Sequence, residues 1–156
     1  MKIKKIYIRD FGIFNNEKIE QLSPNIVVIG GLNRSGKSTF MKLLRHIWFG
    51  FLKGEKMPNS RVQYEAEVDV LDDEFNEFNI RVEGYKTPEI TSIGSREKLK
   101  ASALIGKLDY YTYSQLYTIS LDELQRAKDK KLQSILLGAG LSSIAHIPEI
   151  NSELKK

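Results

Sequence analysis

The stretch that most constrains the fold is residues 25–51, in which three patterns follow one another directly. Residues 25–29, NIVVI, form an apolar run that is typical of a strand buried on both faces. Residues 31–38, GLNRSGKS, contain two glycines and end in a Lys-Ser pair. Apolar residues then recur at three- and four-residue steps from 40 to 51, as on one face of a helix. Strand, glycine loop and helix in this order predict an α/β fold.

Residues 31–38 match the full pattern G-x-x-x-x-G-K-[ST] of a phosphate-binding loop. Glycines let the backbone wrap around an anion, so that successive N–H groups point at phosphate oxygens. Lys37 adds a charge for the β- and γ-phosphates, and the Ser38 hydroxyl is placed to ligate Mg²⁺. The motif therefore predicts ATP and Mg²⁺ as ligands and a P-loop NTPase fold. The predicted nucleotide-binding residues are Gly31, Leu32, Asn33, Arg34, Ser35, Gly36, Lys37, Ser38 and Thr39.

Length and composition limit the remaining possibilities. A chain of 156 residues can bury one sizeable core, which predicts a single domain or one lobe of a larger one. The lack of cysteine excludes a disulfide scaffold and a thiolate metal site, and it suits a reducing cytoplasm. No apolar run reaches the length of a membrane span. The formal charge of +4 permits contact with nucleic acid, although a solvated lysine-rich surface is the better explanation of the charge alone. We expect a cytoplasmic protein with no membrane partner.

The patterns along the chain predict a mixed sheet, because the first two strands are too close in sequence for a helical crossover and should pair antiparallel. The predicted elements are strands at 2–11, 17–21 and 25–29, a helix from 37 or 38 that ends before Gly54 or Pro58, strands at 63–70, 78–83 and 89–93, and a short helix at 96–103. In domain terms, 1–58 holds the first strands, the loop and its helix, 59–108 is β-rich, and 109–156 is helical.

The acidic stretch 68–74, VDVLDDE, allows two interpretations. It resembles the apolar strand ending in acids that supplies a magnesium ligand and a general base in P-loop ATPases. Strict alternation, with Asp69 inside the run, favours instead a half-exposed antiparallel strand followed by an acidic turn.

The last third of the chain has helix signals but no catalytic pattern. Asp109 is placed to cap a helix rich in tyrosine, and these tyrosines are better explained by packing than by base stacking. Residues 120–123, SLDE, form a capping box. Gly138 and Gly140 would end that helix, and Pro148 can open a last helix, which is too short to be called a coiled coil. His46 and His146 are isolated, which argues against a metal role.

Several segments together resemble a known family. The segments IKKIYIRDFGIFNNEKIE, NIVVIGGLNRSGKST, FMKLLRHIWFGF, LYTISLDELQ and LLGAGL are similar to the N-terminal lobe of SMC-like ATPase heads, within which they resemble the YhaN-like and SbcC-like AAA-type proteins. These proteins are relatives of the ATPase subunit of a double-strand-break repair nuclease. The resemblance covers nearly the whole chain.

The resemblance implies an ABC-type head split in sequence, with a C-terminal lobe supplying the signature motif and the catalytic carboxylates. Two heads would bind two ATP molecules between them, and closure would be coupled to DNA or a nuclease partner. This chain would be half of a head, because it shows no signature motif or catalytic acid of its own. An inter-lobe glutamine in such proteins senses Mg²⁺ and the attacking water, and Gln115 and Gln125 are the candidates here.

The loop departs from those of related proteins at one point, and two alternative functions are open. Related loops commonly have Asn-Gly or Asn-Glu where this chain has Asn33-Arg34, and the added cation is compatible with phosphate. The chain could also be a nucleotide-gated interaction module without chemistry of its own, or an ABC-type ATPase subunit for transport.

Overall fold

The computed structural model describes residues 1–23 and 25–118. They fall into two compact units, of which the first is Met1–Leu108 and the second begins at Asp109. The capping box at 120–123, the helix ends at Gly138 and Gly140, and the helix opened by Pro148 lie outside the described residues.

An antiparallel sheet organises the first unit. Its strands are β1 (Lys2–Phe11), β2 (Phe14–Ile19), β3 (Glu65–Leu71), β4 (Glu77–Glu83), β5 (Glu89–Ser92) and β6 (Lys98–Leu99). The helices are α1 (Lys37–His46), α2 (Ala101–Ile105) and, in the second unit, α3 (Tyr110–Leu116). Among the described residues the strand order is β2-β1-β3-β4-β5-β6, and every neighbouring pair is antiparallel. This confirms the predicted strands near 2–11, 63–70, 78–83 and 89–93.

Alternation along β3 and β4 separates an apolar face from a charged one. Val68 is 1% exposed and pairs with Ile80, which is fully buried. On the other face, the Arg81 guanidinium lies 2.8 Å from the Glu65 carboxylate, and Arg9 lies 3.2 Å from the same group. The period of two therefore sends one set of side chains into the core and leaves the other paired at the surface.

Helix α1 ends earlier than its apolar pattern predicts. The helix stops at His46, and the backbone N–H of Gly50, at φ 82°, donates to the His46 carbonyl at 2.8 Å. The residues beyond the helix are still buried, and the Phe51 ring stacks on Phe11 with centroids 5.1 Å apart. The apolar spacing thus predicted burial correctly up to residue 51, although the helix itself ends at His46.

The predicted strand at 25–29, and with it the mixed sheet, is wrong for the described structure. Residues 25–30 have no regular secondary structure, and Ile26 and Val28 are 89% and 87% exposed. A strand needs a neighbouring strand to take up its backbone hydrogen bonds, and no strand of the described residues pairs with this segment.

Two other boundaries also differ from the predictions. Strand β2 begins at Phe14, since the hairpin turn is only Gly12-Ile13, with Phe11 paired to Phe14. The predicted helix at 96–103 is wrong: Arg96 takes φ 58° in a turn, and the Ser92 N–H donates to the Glu97 carbonyl at 2.9 Å. That turn leads into β6, so α2 starts only at residue 101.

The second unit begins with a capped helix, as predicted. The Asp109 carboxylate accepts a hydrogen bond from the Thr112 backbone N–H at 2.9 Å at the start of α3. The Tyr113 and Tyr117 rings stack with centroids 5.6 Å apart, one helical turn from each other. None of the helices in the described part of the chain is long and apolar enough to span a bilayer.

Candidate phosphate-binding site

Residues 31–38 form a tight loop between the exposed apolar segment and α1. The Ser35 N–H donates to the Leu32 carbonyl at 3.2 Å, which closes a four-residue turn. Arg34 is the third residue of this turn and has φ 66°. Gly36 follows at φ 94°, after which the Phe40 N–H donates to its carbonyl at 2.8 Å and the helix begins. The loop thus ends at the N-terminus of α1, where helix N–H groups lack intrahelical partners and favour anions.

The two motif glycines have specific steric reasons in this structure. A Cβ on Gly31 would lie 2.6 Å from the Ser35 hydroxyl oxygen, on the opposite side of the loop. A Cβ on Gly36 would lie 2.4 Å from Ile13 Cδ1 and would also be strained by the positive φ. At Gly36 the positive φ disfavours any larger residue, and at Gly31 a larger residue would require the Ser35 side chain to move.

Lys37 directs its ammonium group back over the loop. Its Nζ donates to the Gly31 and Leu32 carbonyls, both at 2.7 Å. No acidic residue lies in the first turn of α1, and no side chain caps this helix. The positive charge of Lys37 and the helix N-terminus therefore act on the same small volume, which is the electrostatic requirement of an anion site.

The β1–β2 turn supports this arrangement from outside the motif. A Cβ on Gly12 would lie 2.6 Å from Thr39 Cγ2 and 3.0 Å from Pro58 Cβ, so the turn touches the first turn of α1. The Phe14 and Phe40 rings meet edge to face with centroids 6.1 Å apart. Sequence reasoning missed this support, although the Phe-Gly-Ile-Phe string at the turn offered a signal.

Asp10 is a second feature that the sequence did not reveal. Its carboxylate is only 7% exposed and accepts hydrogen bonds from the backbone N–H groups of Arg61, Val62 and Gln63 at 2.7–3.2 Å. Burial raises the pKa of this carboxyl, but the bonds from the three N–H groups and the nearby Arg61 charge outweigh burial and hold the pKa below its ordinary value. Asp10 thereby anchors the chain that leads from the loop region into β3.

The residues of the loop fit a magnesium-bound nucleotide in their chemistry. The glycine cradle and Lys37 suit phosphate, and Ser38 in the first turn of α1 offers a hydroxyl oxygen next to it. No cluster of three or more His, Asp and Glu side chains is found within the described ranges. The charge of a magnesium ion bound here would consequently be balanced mainly by the phosphates that it accompanies.

The acidic stretch after β3 forms a turn, as its alternation predicted. The Asp72 carboxylate accepts hydrogen bonds from the Glu74 and Asn76 backbone N–H groups, each at 2.8 Å, and from the Asn76 side-chain amide at 2.9 Å. These bonds close the β3–β4 hairpin and occupy the oxygens that a magnesium ligand or general base would use.

The remaining candidates lie at the end of α1, in the second unit, or outside the described residues. His46 is fully buried, with Nδ1 2.8 Å from the Lys42 carbonyl and Nε2 2.8 Å from the Glu55 carboxylate. That arrangement has a structural role in joining α1 to the following chain. Gln115 lies in α3 of the second unit, while Gln125 and His146 lie outside the described residues, so an inter-lobe glutamine stays a prediction.

Comparisons with known proteins agree with the motif. A family model described as an AAA domain matches residues 5–156. The chain is also 26% identical to a protein of Bacillus subtilis (strain 168) called uncharacterized protein YhaN, over 167 aligned positions. That alignment covers 100% of this chain and 17% of the relative, so the chain spans about a sixth of the length of the protein that it matches.

Proposed function

From the premise that this chain belongs to the AAA domain family, we propose that it is the Mg-ATP-binding half of an SMC-like, ABC-type ATPase head with a P-loop NTPase fold. The observation that carries the proposal is the loop at 31–38, where the Lys37 ammonium, two closely packed glycines and a helix N-terminus converge. Residues 31–39 contact the nucleotide, and Ser38 ligates Mg²⁺.

A C-terminal ATPase lobe is the proposed partner of the exposed apolar segment. Ile26 and Val28 present branched apolar side chains to solvent at the entrance of the loop. Beside them is a cavity of about 860 Å³ whose walls include Ile6, Phe14 and Phe40. A strand from the second lobe that paired with 25–29 would cover both and complete the sheet.

Hydrolysis in this proposal requires groups from outside the chain. Phosphoryl transfer depends on positioning and charge stabilisation, and a site without a water-orienting acid turns over very slowly. A C-terminal lobe and a second head supply these groups, and ATP-driven closure does work on DNA or a nuclease subunit. The relative's much greater length leaves room for such further parts.

Nucleotide affinity tests the proposal directly. Replacing Lys37 with alanine removes the charge over the loop, and we expect Mg-ATP affinity to fall by about 100-fold. The Lys98→Ala variant is the matched control, since Lys98 is a 77%-exposed lysine of β6 with a 3.6 Å contact to Glu89. Isothermal titration of both variants and the wild type decides the matter: equal affinity in all three would refute a nucleotide site at this loop.

The exposed segment also favours a second candidate, a nucleotide-gated interaction module with no chemistry of its own. Such a module would use the apolar surface at Ile26 and Val28 to bind another polypeptide when ATP is present. The two proposals differ in phosphate release once a partner is bound. The sequence encoded directly downstream of Lys156 separates them further, because a heptad stretch and a signature motif there favour the split head.

A further inference from the structure

Arg34 occupies one of the four positions that the motif leaves unspecified, and it is the charged residue among them. It occupies the third position of the Leu32–Ser35 turn at φ 66°, a conformation that favours glycine and strains any residue with a Cβ. The side chain is exposed. A strained backbone at a binding loop is a reason to examine what its side chain does.

The charge of Arg34 has no protein partner in the described part of the chain. Arg9 and Arg81 on the sheet lie within 4 Å of glutamates, whereas Arg34 forms no ion pair or hydrogen bond with described residues. The local sequence explains this difference, because no Asp or Glu occurs between Glu20 and Glu55. Arg34 and Lys37 therefore belong to a stretch of sequence in which, histidine aside, every charged residue is a cation.

A guanidinium in this position suits phosphate better than it suits any other ligand of the site. Its planar fork of N–H donors matches the oxygens of a phosphate group, and it stays charged at every physiological pH. Arg34 lies three positions before Lys37 in the same eight-residue motif, so both cations act on one bound anion. Two cations favour the ligand with the greatest negative charge.

We propose that Arg34 is a second cation of the phosphate site, which binds the phosphate tail of the nucleotide and makes the site prefer a triphosphate over a diphosphate. This proposal rests on the proposed nucleotide-binding function. Arg34 then determines specificity, whereas Lys37 and the glycine cradle provide most of the affinity for the nucleotide.

Three substitutions separate the charge of Arg34 from its backbone. In Arg34→Asn the new side chain is neutral, and asparagine tolerates a positive φ. Arg34→Gly removes both the backbone strain and the charge. Arg34→Lys keeps the charge but lacks the planar fork of N–H donors. The matched control is Arg96→Asn, because Arg96 is also an exposed arginine at positive φ, in the β5–β6 turn. Titration of each variant with Mg-ATP, Mg-ADP and AMP, at two salt concentrations, gives the affinities.

We expect Arg34→Asn and Arg34→Gly to lose ATP affinity about tenfold, ADP affinity by less, and AMP affinity hardly at all, with a weaker dependence on salt. Arg34→Lys should lie between them and the wild type, and Arg96→Asn should match the wild type. Melting temperatures should not fall in Arg34→Gly, which relieves strain.

Unchanged ATP affinity in Arg34→Asn and Arg34→Gly, together with loss of binding in Lys37→Ala, would overturn the role of Arg34 and leave the nucleotide site standing. An equal loss for ATP, ADP and AMP with a lower melting temperature would overturn it in favour of a structural role. A wild-type chain that binds no nucleotide would overturn the proposed function itself.

Discussion

Two stretches of this protein carry branched apolar side chains in opposite environments. In β4, Ile80 and Val82 are fully buried, whereas Ile26 and Val28 in the segment before the loop are 89% and 87% exposed. The difference lies in the backbone, because β4 pairs with β3 and β5 and the segment pairs with no described strand. Of these two stretches, the one whose side chains are buried is the one whose backbone hydrogen bonds are taken up by neighbouring strands.

A matched pair of truncations tests this contrast most strongly. Ile80→Ala leaves a cavity in a fully buried position, and we expect the free energy of unfolding to fall by about 4 kcal/mol. Ile26→Ala removes the same atoms from an exposed position and should change it by less than about 0.5 kcal/mol. Urea denaturation measures both. A large effect of Ile26→Ala would mean that residues 25–29 are covered in the isolated chain.

The connection held by Asp10 can be weakened without changing the apolar core. Asp10→Ala leaves three backbone N–H groups without their acceptor, and we expect a loss of about 3 kcal/mol at pH 7. The pKa of Asp10 is lowered in the folded state, so its carboxylate stabilises the fold above its ordinary pKa of 3.8. That contribution is lost as the pH falls through the lowered pKa.

The pH dependence provides the control for Asp10. The stability difference between the wild type and Asp10→Asn should be full near pH 7 and should shrink as the pH falls below about 4. A difference that stays constant down to pH 2 would show that the charge of Asp10 has no part in anchoring this chain.

Two glycines with positive φ allow the effect of a steric contact to be measured apart from the effect of backbone strain. Gly12→Ala places a methyl group 2.6 Å from Thr39 Cγ2, and we expect about 2 kcal/mol of destabilisation together with weaker ATP binding. Gly54→Ala has a similar φ of 92° but no atom within 4 Å, so it should cost about 1 kcal/mol and leave ATP binding unchanged. Equal ATP affinity in both variants would show that the hairpin turn does not support the phosphate-binding loop.

A small effect is expected at the acidic hairpin turn. Asp72→Ala removes an exposed carboxylate that accepts hydrogen bonds at the end of β3, and it should weaken the hairpin less than Asp10→Ala and Gly12→Ala weaken the fold. Mg-ATP affinity should not change, because Asp72 is bound to its own turn. A loss of magnesium-dependent binding in this variant would restore the catalytic interpretation of the stretch 68–74.

The sequence predicted best where local chemistry decides the structure. Alternation located β3 and β4, and the spacing of Gly31, Gly36 and Lys37 located the loop, since both depend on residues close together in the chain. The segment at 25–29 was misassigned because an apolar run indicates burial without indicating which strand provides it. The helix expected at 96–103 failed since Arg96 adopts a turn conformation that its residue type rarely takes.

The supports of the candidate site were beyond the reach of sequence patterns. Gly12 and Thr39 are 27 positions apart, and Asp10 and Val62 are 52 positions apart, so their contacts depend on the folded sheet. The sequence pattern located the loop, and the ligand chemistry assigned to it stays a prediction. Its placement against the β1–β2 turn required the tertiary structure.

The anchor at Asp10 has a consequence for how the surface of this protein exchanges hydrogen with water. Val62 has a side chain that is 94% exposed, yet its amide donates to the Asp10 carboxylate at 2.7 Å. Amide exchange at residues 61–63 requires that this bond network open first, so these amides should exchange slowly despite their position outside any helix or strand. Their protection would report the integrity of the first unit from a stretch that looks, by its side chains, like solvent-exposed loop.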